Sequence, residues 1–179
     1  YARLGDSKRS VLVDREFDLP RETVEWLDRE VIDVSREEIV EVEIRHADGE
    51  RVVAKKVSAD DAHFTLEDVP EGSEPKSEWN VDSLAGGLDT LELEAVRPAD
   101  DLDWAGAVLH RVVTADGLDI AAQLVSEPVE EGDDPRYWLR LEAGLYTTGL
   151  SGPDEAGPAA ERARALNEKV SGWAYSLSD

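Results

Sequence analysis

The stretch Ile39-Val40-Glu41-Val42-Glu43-Ile44-Arg45-His46-Ala47-Asp48-Gly49-Glu50-Arg51-Val52-Val53 decides how this chain is read. Val40, Val42 and Ile44 alternate with Glu41, Glu43 and Arg45, the period of a strand with one apolar and one polar face. Ala47-Asp48-Gly49 interrupts the alternation, and Val52, Val53 and Val57 resume it. Asp-Gly between two such runs signals a hairpin, because glycine supplies the positive φ that a tight turn requires. The signal recurs further on. Val108 to Thr114 forms one run, Ala115-Asp116-Gly117 the turn, and Leu118, Ile120, Ala122 and Leu124 the return, 68 residues later (116 − 48).

Each hairpin is followed by a third short strand pattern, His63 to Glu67 in the first copy and Trp138 to Glu142 in the second. A helix pattern comes next. Asn80 is placed as an N-cap ahead of Val81, Leu84 and Leu88, which share one helical face. In the second copy Pro158 suits a first helical turn, Ala159, Ala163, Leu166 and Val170 form the stripe, and Gly172 suits the end. Closing strands are expected over Leu91 to Val96 and Trp173 to Leu177. The fold class expected is therefore α+β, built from repeated β-β-β-α-β modules in mainly antiparallel sheets, each covered by a helix.

The boundaries that follow are residues 1–38 as the rear part of a truncated module, 39–98 as module one and 104–179 as module two. In the first segment Val11-Leu12-Val13 is expected as a strand, and Pro20 as the start of a helix with Val24, Leu27 and Val31 on its apolar stripe. Pro98 to Asp103 is the expected boundary between modules. The chain begins at Tyr1, has no methionine and opens inside a strand-like stretch, so it reads as part of a longer protein with any targeting or anchoring segment upstream.

Composition excludes several kinds of function. With 19 basic against 42 acidic residues the net charge is −23 in 179 residues, which repels phosphate backbones and anionic lipid and argues against nucleic-acid binding. Cysteine is absent, removing disulfides, thiolate metal sites and cysteine nucleophiles. No apolar run approaches the ~20 residues that span a bilayer. The acids are read mainly as a solvating surface, with Glu41 and Glu43 at outward strand positions.

No residue set presents catalytic, cofactor-binding or metal-binding spacing. The acidic pairs Asp60-Asp61, Asp100-Asp101 and Asp133-Asp134 fall in expected loops, where solvated acids far outnumber catalytic ones. Neither Asp100-Asp101-Leu102-Asp103 nor Glu130-Glu131-Gly132-Asp133-Asp134 matches a calcium loop. The serines beside glycine, Ser151 and Ser171, lack a nucleophile elbow, and Gly86-Gly87 lacks the lysine of a phosphate loop. His46, His63 and His110 have no ligand spacing. Trp26, Trp79 and Trp173 recur near helix–strand junctions and are expected to fill the seam between helix and sheet, while one of Tyr137 and Trp138 is expected to face out.

The order of Tyr1-Ala2-Arg3-Leu4-Gly5, Val11-Leu12-Val13-Asp14, Trp26-Leu27-Asp28, Ile39-Val40-Glu41-Val42 with Asp48-Gly49, and Trp79-Asn80-Val81 through Leu88 resembles the family called domain of unknown function 4340 (DUF4340). Thr114 to Leu118, Tyr137 to Leu141, Leu166-Asn167 and Gly172-Trp173-Ala174-Tyr175 continue the resemblance over nearly the whole chain. It implies a periplasmic-side, extracytoplasmic domain, with the membrane reached only through an N-terminal anchor absent here. It also implies a protein partner, an ABC transporter of the gliding-motility type or its auxiliary component. The resemblance supplies no catalytic residues. The expected function is a non-enzymatic interaction or accessory domain with no cofactor. The alternatives are an acid-pair hydrolase acting on carbohydrate or cell-envelope material, and a small-ligand or cation-binding module.

Overall fold

The computed structural model describes residues 5–6, 8–12, 30–32, 34–69, 72, 77–88, 93–127, 135–146 and 157–177. Their strands are β1 (Ile39–Arg45), β2 (Arg51–Lys55), β3 (Thr65–Leu66), β4 (Leu93–Pro98), β5 (Val108–Thr114), β6 (Leu118–Glu127), β7 (Arg136–Leu145) and β8 (Trp173–Leu177). The helices are α1 (Glu78–Asp82), continued by a 3₁₀ segment over Ser83–Leu88, and α2 (Pro158–Val170). The fold is α+β.

Both Asp-Gly turns form as expected. Gly49 and Gly117 adopt φ of +91° and +90°, and they connect β1 to β2 and β5 to β6 in antiparallel register. The strands join one continuous sheet of order β3-β2-β1-β5-β6-β7-β8-β4, in place of separate sheets each under its own helix. The two hairpins meet because β1 pairs with β5, matching Val42 to Val112 and Ile44 to His110. β4 does not return to β3. It pairs with β8 at the opposite edge, Leu93 against Leu177 and Pro98 against Trp173.

Both helical elements cover the same face. Val81, Ala85 and Leu88 from the first region and Ala159, Ala163 and Val170 from α2 share one core with Val42, Ala54, Val112, Ile120, Leu139 and Leu141. Each large aliphatic side chain fully buried there, such as Ile120 or Leu118, contributes about 1.5–3 kcal/mol. A second, smaller cluster lies on the other face, where Ala99, Trp138 and Ala174 pack with Trp104 and Val125.

Several local expectations are corrected. A bulge at Val40 puts Ile39 into the core, fully buried, while Val40 is only half-buried; an extra residue shifts the alternation by one. Val57 lies beyond β2 and is exposed. Ser77, not Asn80, caps α1, its hydroxyl accepting the N–H of Asn80 at 3.2 Å. α1 is only five residues long and tightens into the 3₁₀ segment, where Gly86-Gly87 offers little helical propensity. α2 matches its expectation, with Pro158 in the first turn and Gly172 beyond its end at φ +80°. The third strand of the first copy shrinks to Thr65–Leu66. Val11 forms an isolated bridge and, like Leu12, is exposed. The expected helix from Pro20, and Trp26 with it, lie outside the described residues, as do Leu91, Ser151, Glu130, Asp133 and Asp134.

Candidate functional site

Glu41 and Glu43 do not project into solvent. Both alternate with the core residues of β1 and so lie on the outer face of the sheet, yet they are 8% and 3% exposed. The register explains this. On the outer face Arg45 stands opposite Arg51, Glu43 lies opposite Val53 on one side and Arg111 on the other, and Glu41 faces Lys55. Two like charges opposed across strands repel. Here both arginines turn to the same carboxylate: Arg45 Nη2 and Arg51 Nε lie 2.6 and 2.9 Å from Glu43 Oε1. Arg111 approaches Glu43 Oε2 at 3.8 Å and pairs with Asp119 through two nitrogens.

The lattice extends along β1. Lys55 Nζ bridges Glu41 at 3.4 Å and Glu67 at 3.2 Å. Tyr146 donates its hydroxyl to Glu41 at 3.2 Å, while its ring lies 5.4 Å from the Arg111 guanidinium. Hydrogen bonding to Arg51, opposed by burial and reinforced by Arg45, lowers Glu43 to a pKa of about 2. Burial and Glu41 raise Tyr146. At neutral pH Glu43 is therefore held ionised beneath its arginines.

A second buried carboxylate is structural. Burial pushes Asp82 upward, but the Phe64 N–H at 2.9 Å, His63 Nδ1 at 2.7 Å and Arg36 at 3.5 Å outweigh it, and its pKa is lowered. Asp116 is likewise lowered on balance, by Thr114, Leu118 and Arg162 against burial. Glu127 is lowered first by Arg97 and then by Trp138. Every carboxyl with a resolved shift among the described residues lies below its ordinary value.

An apolar groove of about 320 Å³ opens on the inner face between the 3₁₀ segment and the sheet, lined by residues including Ile44, Leu84, Val108, Leu124 and Leu177. Among the described residues that line it, His110 is the one titratable group. Its Nε2 lies 3.0 Å from the Leu84 carbonyl, and burial, partly offset by that contact, lowers its pKa. The other expectations resolve simply. Asp60, Asp61 and Asp100 are exposed, His46 flanks the first turn, and His63 serves Asp82. Among the described residues no three His, Asp or Glu side chains converge on a metal site, and no helix is long and apolar enough to cross a membrane. Trp79 and Trp173 are 72% and 45% exposed, so the expected seam-filling role does not hold for them; Trp138 is buried and Tyr137 faces out. The buried lattice around Glu43 escaped the sequence reading because its signal, like charges at Arg45 and Arg51 on either side of a hairpin, becomes legible only once the register is known.

The chain stands apart in comparison: no family model, no curated protein and no solved structure matches it.

Proposed function

We propose that this protein is a non-enzymatic interaction domain that acts outside the cytoplasmic membrane as an accessory of an ABC-type export or gliding-motility-like system. The observation that carries the interaction reading is the outer face of β1, β2 and β5. Glu43 sits beneath Arg45, Arg51 and Arg111 with no proton to give at neutral pH, so the face offers a rigid pattern of charge and not a reactive group. In a chain of charge −23, this face is locally balanced, with Arg45, Arg51, Arg111 and Lys55 set against Glu41, Glu43, Glu67 and Asp119, a departure that favours a mixed-charge protein surface. The transporter-type partner and the extracytoplasmic side rest on the resemblance to the DUF4340 family. The order β1-β2-β3-α1-β4 followed by β5-β6-β7-α2-β8 supports a duplicated module as the origin of the sheet.

The test is crosslinking of the full-length protein in its native membrane, with identification of what is captured. Wild type is expected to capture a transporter component, and the double variant Arg45→Gln/Arg51→Gln, whose amides can still donate to Glu43, to lose it while keeping its circular dichroism spectrum. Recovering no transporter component, under conditions that capture known membrane complexes, overturns the accessory reading. Capture unchanged by the double variant removes this face from it.

A further inference from the structure

At one end of the sheet β7 and β8 separate. Trp138 pairs with Ser176 and Leu139 with Tyr175, and there the ladder stops. Both strands continue, and the same register would oppose Arg140 to Ala174 and then Leu141 to Trp173. A cleft of about 550 Å³ occupies that gap, its lining drawn from β6, β7, the turn after β4, the end of α2 and the start of β8. Its volume falls within the ~300–1,000 Å³ usual for small-molecule sites.

We propose that this cleft binds an uncharged saccharide, a role that goes beyond the interaction function above. Three features point to this chemistry. Trp173 lines the cleft with 45% of its surface still in water, so a flat apolar face is free for the C–H face of a sugar ring to stack upon. The polar lining mixes types: Asp100 and Glu142 accept, Arg140 donates, and Gln123 and Ser171 do both. Hydroxyl groups donate and accept at once and can serve all of these. An anionic ligand would face the two carboxylates of Asp100 and Glu142, and a cationic one would face Arg140.

The third feature is preorganisation. Arg140 Nε donates to Gln123 Oε1 at 2.5 Å, and its guanidinium lies 4.4 Å from the Trp104 ring, whose N–H donates to the Ala99 carbonyl at 2.8 Å. Side chains already held in place cost less ordering when a ligand arrives.

The test is retention of the full chain on an array of uncharged and acidic oligosaccharides, followed by titration of the retained glycans. At least one uncharged glycan is expected to bind. Trp173→Ala should weaken it by at least about tenfold, and Glu142→Gln should weaken it too, while Trp79→Ala leaves it unchanged. If Trp173→Ala fails to fold, Glu142→Gln decides. No uncharged glycan retained, retention confined to acidic glycans, or binding indifferent to the cleft variants that remain folded overturns the proposal.

Discussion

Asn167 of α2 grips the main chain of Ala143 with both halves of its amide. Its Oδ1 accepts the Ala143 N–H at 2.9 Å, and its Nδ2 donates to the Ala143 carbonyl at 2.7 Å. The side chain thus substitutes for a neighbouring strand at the point where β8 has left β7. Asn167→Leu removes both bonds and leaves peptide groups of β7 without these partners, which costs about 1–3 kcal/mol. For a chain of this size that lowers Tm by roughly 2–4 °C per kcal/mol. Hydrogen exchange at the Ala143 amide should accelerate in the variant, and an unchanged rate would show that the bond is not formed in solution.

Glu43 gives stability a dependence on acid pH. Its folded pKa, about 2, lies below the ordinary value of 4.5, so the unfolded chain binds the proton more readily. The contribution is complete above the unfolded pKa and is lost as pH falls through the folded one, a window from about pH 5 to pH 2. Its size is on the order of 3 kcal/mol. In urea titrations Glu43→Gln should be less stable than wild type at pH 7, and the gap should narrow towards pH 2. A constant gap across that range would contradict the assignment.

His110 acts in a higher window. Burial lowers its pKa, so the folded protein holds it neutral while the unfolded chain protonates it near pH 6.5. Stability is fully present above that value and declines as pH falls towards the folded pKa. The ring also has a steric neighbour: a Cβ added at Gly87 would lie 2.9 Å from His110 Cε1. Gly87→Ala is therefore expected to destabilise by about 1–3 kcal/mol, with most of the loss recovered in Gly87→Ala/His110→Ala relative to His110→Ala alone. Additive effects in that cycle would mean the two residues do not touch.

The turn glycines separate backbone strain from crowding. A Cβ at Gly117 meets nothing within 4 Å, yet φ is +90°. Gly117→Ala should cost about 1–2 kcal/mol through conformation alone. Gly86→Ala, equally uncrowded and without a positive φ, should change stability little or raise it. Equal melting temperatures for the two variants would refute this reading of the turn.

Local pattern carried the hairpins and α2, because alternation, Asp-Gly and a proline-to-glycine helix frame are short-range signals. What pattern could not reach was long-range pairing. Nothing local to Leu93–Pro98 distinguishes a return to β3 from a crossing to β8. The burial of Glu41 and Glu43 was hidden for the same reason, since a polar strand position reads as solvent until its cross-strand arginines are known. Ile39 and Val40 exchanged roles because one bulge offsets the alternation. The exposure of Trp173 is not legible either, because a position at a junction says nothing of the gap that opens beside Leu141.

The crossing of β4 has a consequence for synthesis. Leu93 waits for Leu177, which emerges 84 residues later (177 − 93). At a translation rate of about 5–20 residues per second, that is roughly 4–17 s during which β4 exists without its ladder partner. The β1–β2 hairpin has already emerged by then and the β5–β6 hairpin emerges during this interval, and each can close within microseconds of leaving the ribosome. Among the described residues β8 is thus the strand that completes the sheet, pairing with β7 on one side and β4 on the other. A chain that terminates before Trp173 would be released with β4 unpaired by β8, a ready substrate for chaperones and proteases.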